Sequence, residues 1–258
     1  MKYLDALCAE IKISLESEWS YKMKFISDII FMGGLYIVLL YMNTGTSLGD
    51  YYASPKDSKS LLLIGYILWS FSILAINLVS SNIDAEATRG TLEQKLTSII
   101  PLYVLMIGKL IFCMLMELIE LAIILTISVL IFHVGVSINL KAIIILLITI
   151  AGMYGMGLIF GGLTLKFKNI GRTMYIIQTL LLFSSNTLMV VSNKFSIINL
   201  IPLTNGNDLI RKALIGQVIP MTDYLALAAI SLAWLAIGIV TFNYFKKLSR
   251  IDGLVGSY

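Results

Sequence analysis

A chain of 258 residues in which 58% are hydrophobic and only 13% charged is no ordinary soluble domain, since such domains carry about a quarter charged residues. A mean hydropathy of +0.90 places it among polytopic membrane proteins. The net charge of +4 gives no case for nucleic-acid binding, and two cysteines, Cys8 and Cys113, offer neither a disulfide framework nor a thiolate metal site.

Residues 1–24 place Leu4, Leu7, Cys8, Ile11, Leu15 and Trp19 at helical spacing with charged residues elsewhere around the wheel, which predicts an amphipathic interfacial helix. It is too polar to span. The first long apolar run begins near Phe25 with no small-residue cleavage site after it, so it reads as a retained anchor rather than a signal peptide.

Six hydrophobic runs follow: Phe25 to Met42, Leu61 to Ser81, Tyr103 to Phe132, Ala142 to Leu165, Thr173 to Val191 and Thr222 to Phe245. Each approaches or exceeds the roughly 18 to 20 residues that a bilayer crossing requires. An even number of spans leaves both termini on one side. Thirteen of the 19 lysines and arginines lie at the N-terminus, around residues 89–109, after the fourth run and in the tail, so the positive-inside rule places those segments in the cytoplasm.

Between the second and third runs, Gly90 breaks the arriving helix, and Thr91 with Gln94 forms a capping-box pattern. Leu92, Leu96, Ile99 and Ile100 then share one face of a short amphipathic helix that stops at Pro101. Within the third run stand Glu117 and Glu120, at i and i+3, where a charge is costly and turns toward protein or water. As paired carboxylates they suit a cationic substrate, protons or a basic partner, and they are expected near the inner entrance of a path with the membrane polar residues Gln178 and Asn186. Asp28 is read as an interfacial partner for Lys22 or Lys24. In the fourth run Gly157 and Gly161 have the four-residue spacing that lets helices approach closely; a flexible gating helix is the sharper alternative. His133, the sole histidine, stands at a span end without clustered ligands or an orienting acid, so neither a metal site nor a catalytic triad is expected.

Residues 192–221 are neither plain loop nor span. Pro202 stops one short apolar stretch, Thr204 or Asn205 caps a second helix, Asp208 falls in its first turn, Arg211 and Lys212 lie toward its end, and Gly216 stops it. Two short helices dipping into the outer leaflet are expected.

Three features resemble the membrane subunits of type-2 ATP-binding-cassette exporters, also called type V exporters. Glu86 followed by Arg89-Gly90-Thr91-Leu92-Glu93-Gln94 and then Gly108-Lys109 is similar to the family's cytoplasmic pattern. Ile201-Pro202-Leu203-Thr204 with Asp208-Leu209-Ile210-Arg211 is similar to its signature before the last span, with Ile201 in place of the usual asparagine. The third is the order of elements across nearly the whole chain. The resemblance implies an all-α polytopic membrane protein in one transmembrane domain: interfacial helix (1–24), spans one and two (25–81), a cytoplasmic coupling helix (82–101), spans three to five (102–191), outer re-entrant helices (192–221), then span six and a cytoplasmic tail (222–258). It implies a non-enzymatic permease, working as a dimer with a second copy of itself against two copies of a separate ATPase that binds ATP and Mg. The chain itself shows no G-x-x-x-x-G-K-[ST] phosphate loop. On this resemblance Glu86, Arg89, Gly90, Thr91, Leu92, Glu93, Leu96 and Ile99 couple to the ATPase, with Leu92, Leu96 and Ile99 entering a groove on it.

The expected activity is export of an amphipathic drug, peptide or lipid-like compound, with drug or peptide resistance as the setting, since the RGTLEQ form is similar to that branch. The alternatives are export of a lipid-linked glycan or teichoic-acid precursor, a membrane sensor or assembly protein, and a carrier coupled to protons through Glu117 and Glu120. The abundance of Ile, Lys and Asn fits an AT-rich bacterial genome, hence a bacterial plasma membrane.

Overall fold

The computed structural model describes residues 11–12, 22–42, 44–135, 139–168, 170–190 and 197–251. The expected interfacial helix, most of the tail and the first part of the outer segment fall outside the described residues. Among the described residues every regular element is helical. In chain order these are α1 (Lys22–Tyr41), α2 (Thr46–Tyr51), α3 (Ser58–Thr88), α4 (Leu92–Thr97), α5 (Leu102–Phe132), α6 (Leu140–Phe167), α7 (Gly171–Ser184), α8 (Pro202–Leu214) and α9 (Met221–Ile251).

Four of these, α3, α5, α6 and most of α9, are long and apolar enough to cross a membrane, and Phe25–Tyr41 within α1 is a shorter apolar helix. The fifth predicted run behaves differently. Its helix α7 holds only 14 residues, about 21 Å at 1.5 Å per residue, and Ser185 to Met189 leave the helical path with Asn186 at φ 57°.

The bundle is built around α3, whose most apolar stretch is 89% buried, against 33% for α5 and 22% for α9. A helix apolar on all sides belongs inside other helices, and the run Leu61 to Phe71 is buried without a gap. Glycines set how closely the neighbours approach. A Cβ at Gly157 would stand 2.7 Å from the Ala75 carbonyl oxygen, and one at Gly161 would strike Val79, so this predicted pair does bring α6 against α3. On another side of α6, a Cβ at Gly155 would lie 2.5 Å from the Leu235 amide nitrogen, which fixes the approach of α9. By contrast α1, α5 and α7 present wide apolar faces outward, including Ile30, Leu118 and Tyr175.

Two helix ends share one stop. At the end of α3, Gly90 takes φ 72°, its N–H bonds to Ala87 O at 3.0 Å, and the Thr91 N–H reaches back to Glu86 O at 3.0 Å. At the end of α8, Gly216 takes φ 73°, its N–H meets Ala213 O, and the Gln217 N–H meets Lys212 O at 2.9 Å. Both are paired 6→1 and 5→2 closures, which need a left-handed residue that glycine supplies without steric cost.

Candidate functional site

Three groups of residues are candidates: the end of α3 with α4, the polar cleft between α1, α3, α5 and α7, and the α8 assembly at the opposite end of α3.

At the first, Thr91 does not form the predicted capping box. It stands at the N-cap of α4 without a side-chain cap bond, and its hydroxyl instead donates to Glu86 Oε2 at 2.5 Å. Lys95 Nζ donates to Glu86 Oε1 at 3.0 Å, while Lys109 Nζ bonds Asn82 Oδ1 at 2.6 Å. Glu86, 6% exposed, thus ties α4 back onto the helix it leaves. The short helix also turns its apolar face inward: Leu92 and Leu96 are each 2% exposed and belong to the chain's own core. This corrects the expectation that they enter a groove on another protein. The residues left outward include Arg89, Gly90, Glu93, Gln94, Thr97 and Ile99, the last 95% exposed.

In the second group, Glu117 and Glu120 are buried on α5 and line an open cleft of about 540 Å³ with Ser70, Asn77, Gln178 and the exposed Asp28. The Ser70 hydroxyl donates to Glu117 Oε1. A second cleft of about 420 Å³ shares Asp28, Asn77 and Gln178 with the first and adds Asp84 near the end of α3. Glu117 lies midway along the 31 residues of α5. A carboxylate so placed costs about 2.5 to 3.5 kcal/mol on an isolated spanning helix, and polar neighbours or water in the cleft offset this. The structure brings together Glu117, Glu120 and Gln178. Asn186 is elsewhere, in the non-helical segment after α7, where its carbonyl accepts a bond from Arg211. Asp28, read from sequence as a partner for two lysines, lines the cleft; those lysine side chains fall outside the described residues.

At the opposite end, α8 begins with Pro202 at its first position and Ile201 as N-cap, so Thr204 and Asn205 sit inside its first turn rather than capping it. Pro202 packs where Gly152 leaves room, and Leu203 and Thr204 are buried. Asp208 accepts from the Tyr52 hydroxyl at 2.8 Å and pairs with Lys212 at 2.6 Å. Burial works against charge on Lys212, yet the bond to Asp208 holds its pKa above the usual lysine value; burial pushes the Tyr52 phenol up. Arg211 is fully buried and feels the charge of Asp208, but its guanidinium is committed to backbone carbonyls. Its Nε donates to Leu61 O at 3.0 Å, Nη2 to Thr187 O at 2.7 Å and Nη1 to Asn186 O. Burial draws its pKa below the usual arginine value. Asn207, one turn earlier, donates to Ser185 O at 2.8 Å and Thr187 Oγ1 at 3.0 Å.

A helical bundle with four helices long and apolar enough to cross a membrane and a tethered short helix at one end is that of a multi-pass membrane protein. Residues 6–215 match the family model of the ABC-2 type transporter, and the chain belongs to that family. It is therefore the transmembrane part of an ABC transporter, of a kind that usually works with an ATPase partner. No curated protein matches the chain.

Proposed function

We propose that this chain is the transmembrane subunit of an ATP-driven exporter, embedded in a bacterial plasma membrane with both termini and α4 in the cytoplasm, and that it moves an amphipathic drug, peptide or lipid-like compound outward. The observation that carries this proposal is the pair of adjoining open clefts between the apolar helices, onto which Asp28, Asp84, Glu117, Glu120 and Gln178 converge. Ionisable side chains are expensive at membrane depth and line pathways where they persist. Asp28, Glu117 and Glu120 make the larger cleft suited to cargo with a cationic group, and Gln178 adds neutral hydrogen bonding. In this scheme the chain is not itself an enzyme. It pairs with a second copy, through some of its outward apolar faces, and with two copies of a separate ATPase that binds ATP and Mg. The ATPase meets Arg89, Glu93, Gln94, Thr97 and Ile99, while Glu86, Thr91, Leu92 and Leu96 hold that surface on α3 and so pass its motion into the bundle.

The test is transport of a fluorescent cationic amphiphile by the chain and its ATPase in proteoliposomes. The Glu117→Gln, Glu120→Gln double variant is expected to lower ATP-dependent transport at least about tenfold while ATP hydrolysis continues, a loss of roughly 1.4 kcal/mol or more in recognition. Undiminished transport by the double variant would remove the carboxylates from the path. Transport that follows a proton gradient without ATP would replace the ATPase with proton coupling.

A further inference from the structure

The fifth hydrophobic run is long enough to cross a bilayer, yet its helix stops at Ser184 in a sequence, LLLFSSNTLMVV, that holds neither proline nor glycine. A local signal is present in Ser184-Ser185-Asn186-Thr187, with Asn186 just past the C-cap at φ 57°, the left-handed stop that asparagine supplies less readily than glycine. What the break has besides is a set of receivers. In a continued helix the carbonyls of Ser185 and Asn186 would accept the N–H groups of Met189 and Val190. Here Asn207 Nδ2 holds Ser185 O at 2.8 Å, Arg211 Nη1 holds Asn186 O, and Arg211 Nη2 holds Thr187 O at 2.7 Å. Two side chains one turn apart on α8 therefore occupy three consecutive carbonyls that helix formation needs. Non-helical backbone at membrane depth persists only where protein satisfies it, and these contacts do so.

We propose that Asn207 and Arg211 form a latch that keeps the end of the fifth helix unwound, and that withdrawal of Arg211 lets α7 wind on through Val190. A helix from Gly171 to Val190 would hold about 20 residues, the length that a bilayer crossing requires. Two of the three carbonyls are satisfied in both states, those of Ser185 and Asn186 passing from side chains to the Met189 and Val190 amides, while that of Thr187 falls in the last turn of the longer helix and is left to water or a cap. The released guanidinium has a carboxylate within reach on its own helix: Asp208 lies three residues earlier and in the latched state serves Tyr52 and Lys212. Gly65 supplies the seat. It stands inside the buried run of α3, where a Cβ would overlap the Arg211 guanidinium, so the absence of a side chain there admits the latch. The latch joins α3, α7 and α8 at the end of the bundle opposite α4, and its working does not depend on which cargo crosses.

The experiment is hydrogen–deuterium exchange of the full chain in lipid nanodiscs, followed in the peptide containing Ser185–Val190. Gly65→Ala leaves Arg211 and its acceptors in place, favours helix in α3 and removes only the seat. The proposal expects exchange in that peptide to slow about tenfold in Gly65→Ala, as newly wound amides become protected, and to slow likewise in Asn207→Leu. Exchange that is unchanged or faster in Gly65→Ala, with the rest of the chain protected as in the parent, overturns it. Arg211→Lys supplies the graded case: an ammonium cannot hold two carbonyls in a planar fork, and slowing between parent and Gly65→Ala is expected. Because the readout is backbone protection, its failure leaves the transport proposal standing, and failure of transport leaves the latch testable.

Discussion

Single residues here act mainly by holding backbone and helix ends together. Glu86 is the clearest: one carboxylate receives both the Thr91 hydroxyl and the Lys95 ammonium. Glu86→Ala would strand both donors at a partly buried site, and a cost of about 1 to 3 kcal/mol is expected. A lowered Tm of the purified chain, with faster proteolysis after Arg89, is the predicted outcome; an unchanged Tm would show that α4 is held by its leucines alone. Sequence revealed the importance of this region but not its bonding. Thr91 and Gln94 match a capping box locally, and the hydroxyl goes elsewhere because a charged acceptor five residues upstream competes for it, which local spacing does not encode. Arg211 is a similar case. From sequence it is a basic residue toward the end of a short helix, whereas folding carries it to three carbonyls, one on α3 and two in the segment after α7, and a glycine on α3 makes the room.

At the scale of elements, helix stops were legible where a left-handed glycine governs them, as Gly90 and Gly216 do. The prolines were misread: Pro202, expected to end an apolar stretch, starts α8 because its missing N–H falls where no helical bond is lost, and α4 ends at Thr97, short of Pro101. The Gly157 and Gly161 pair foretold close packing, since its four-residue spacing keeps both on one face. The end of α7 was missed because apolar residues resume after Ser184-Ser185-Asn186-Thr187 and hide the asparagine stop, while the side chains that hold the opened backbone arrive from Asn207 and Arg211, more than twenty residues later. The orientation of α4 was legible only in part: period alone gives an apolar face but not whether the chain's own core or another protein covers it. This separates two substitutions. Leu96→Asp places a carboxylate in the core and is expected to cost about 3 kcal/mol or more, with lost expression or a clearly reduced Tm. Ile99→Asp, at a fully outward position, is expected to change stability by no more than about 0.5 kcal/mol while weakening copurification with the ATPase. Equal loss of stability in both would contradict the inward packing of α4.

Over the whole molecule, composition alone established a multi-pass membrane protein, and hydropathy located the long helices. The count of six crossings rests on α1 and α7, the two apolar runs whose helices are shorter. The candidate path was half visible: Glu117, Glu120 and Gln178 converge as polar residues in apolar runs must, but Asp28 joined them only once α1 was packed against α3 and α5. Orientation is open to direct test because an exposed apolar residue stands near each end, Ile99 at 95% and Val218 at 92% exposure. In a background with Cys8 and Cys113 replaced by serine, Val218→Cys is expected to react with a membrane-impermeant maleimide in intact cells, and Ile99→Cys only after permeabilisation. The reverse pattern would invert the proposed topology.

The length of α3 carries a last consequence. This one uninterrupted helix offers the Leu61 carbonyl to Arg211 near its start and the Glu86 carboxylate to Lys95 near its finish. Each residue of an α-helix advances the rotation by about 100°. Adding or deleting a single residue anywhere between those two positions would therefore swing one attachment a quarter-turn or more out of phase with the other, whatever its side chain. The two ends of the molecule are indexed to each other by a residue count, so this interval is held in number as well as in the composition its packing requires.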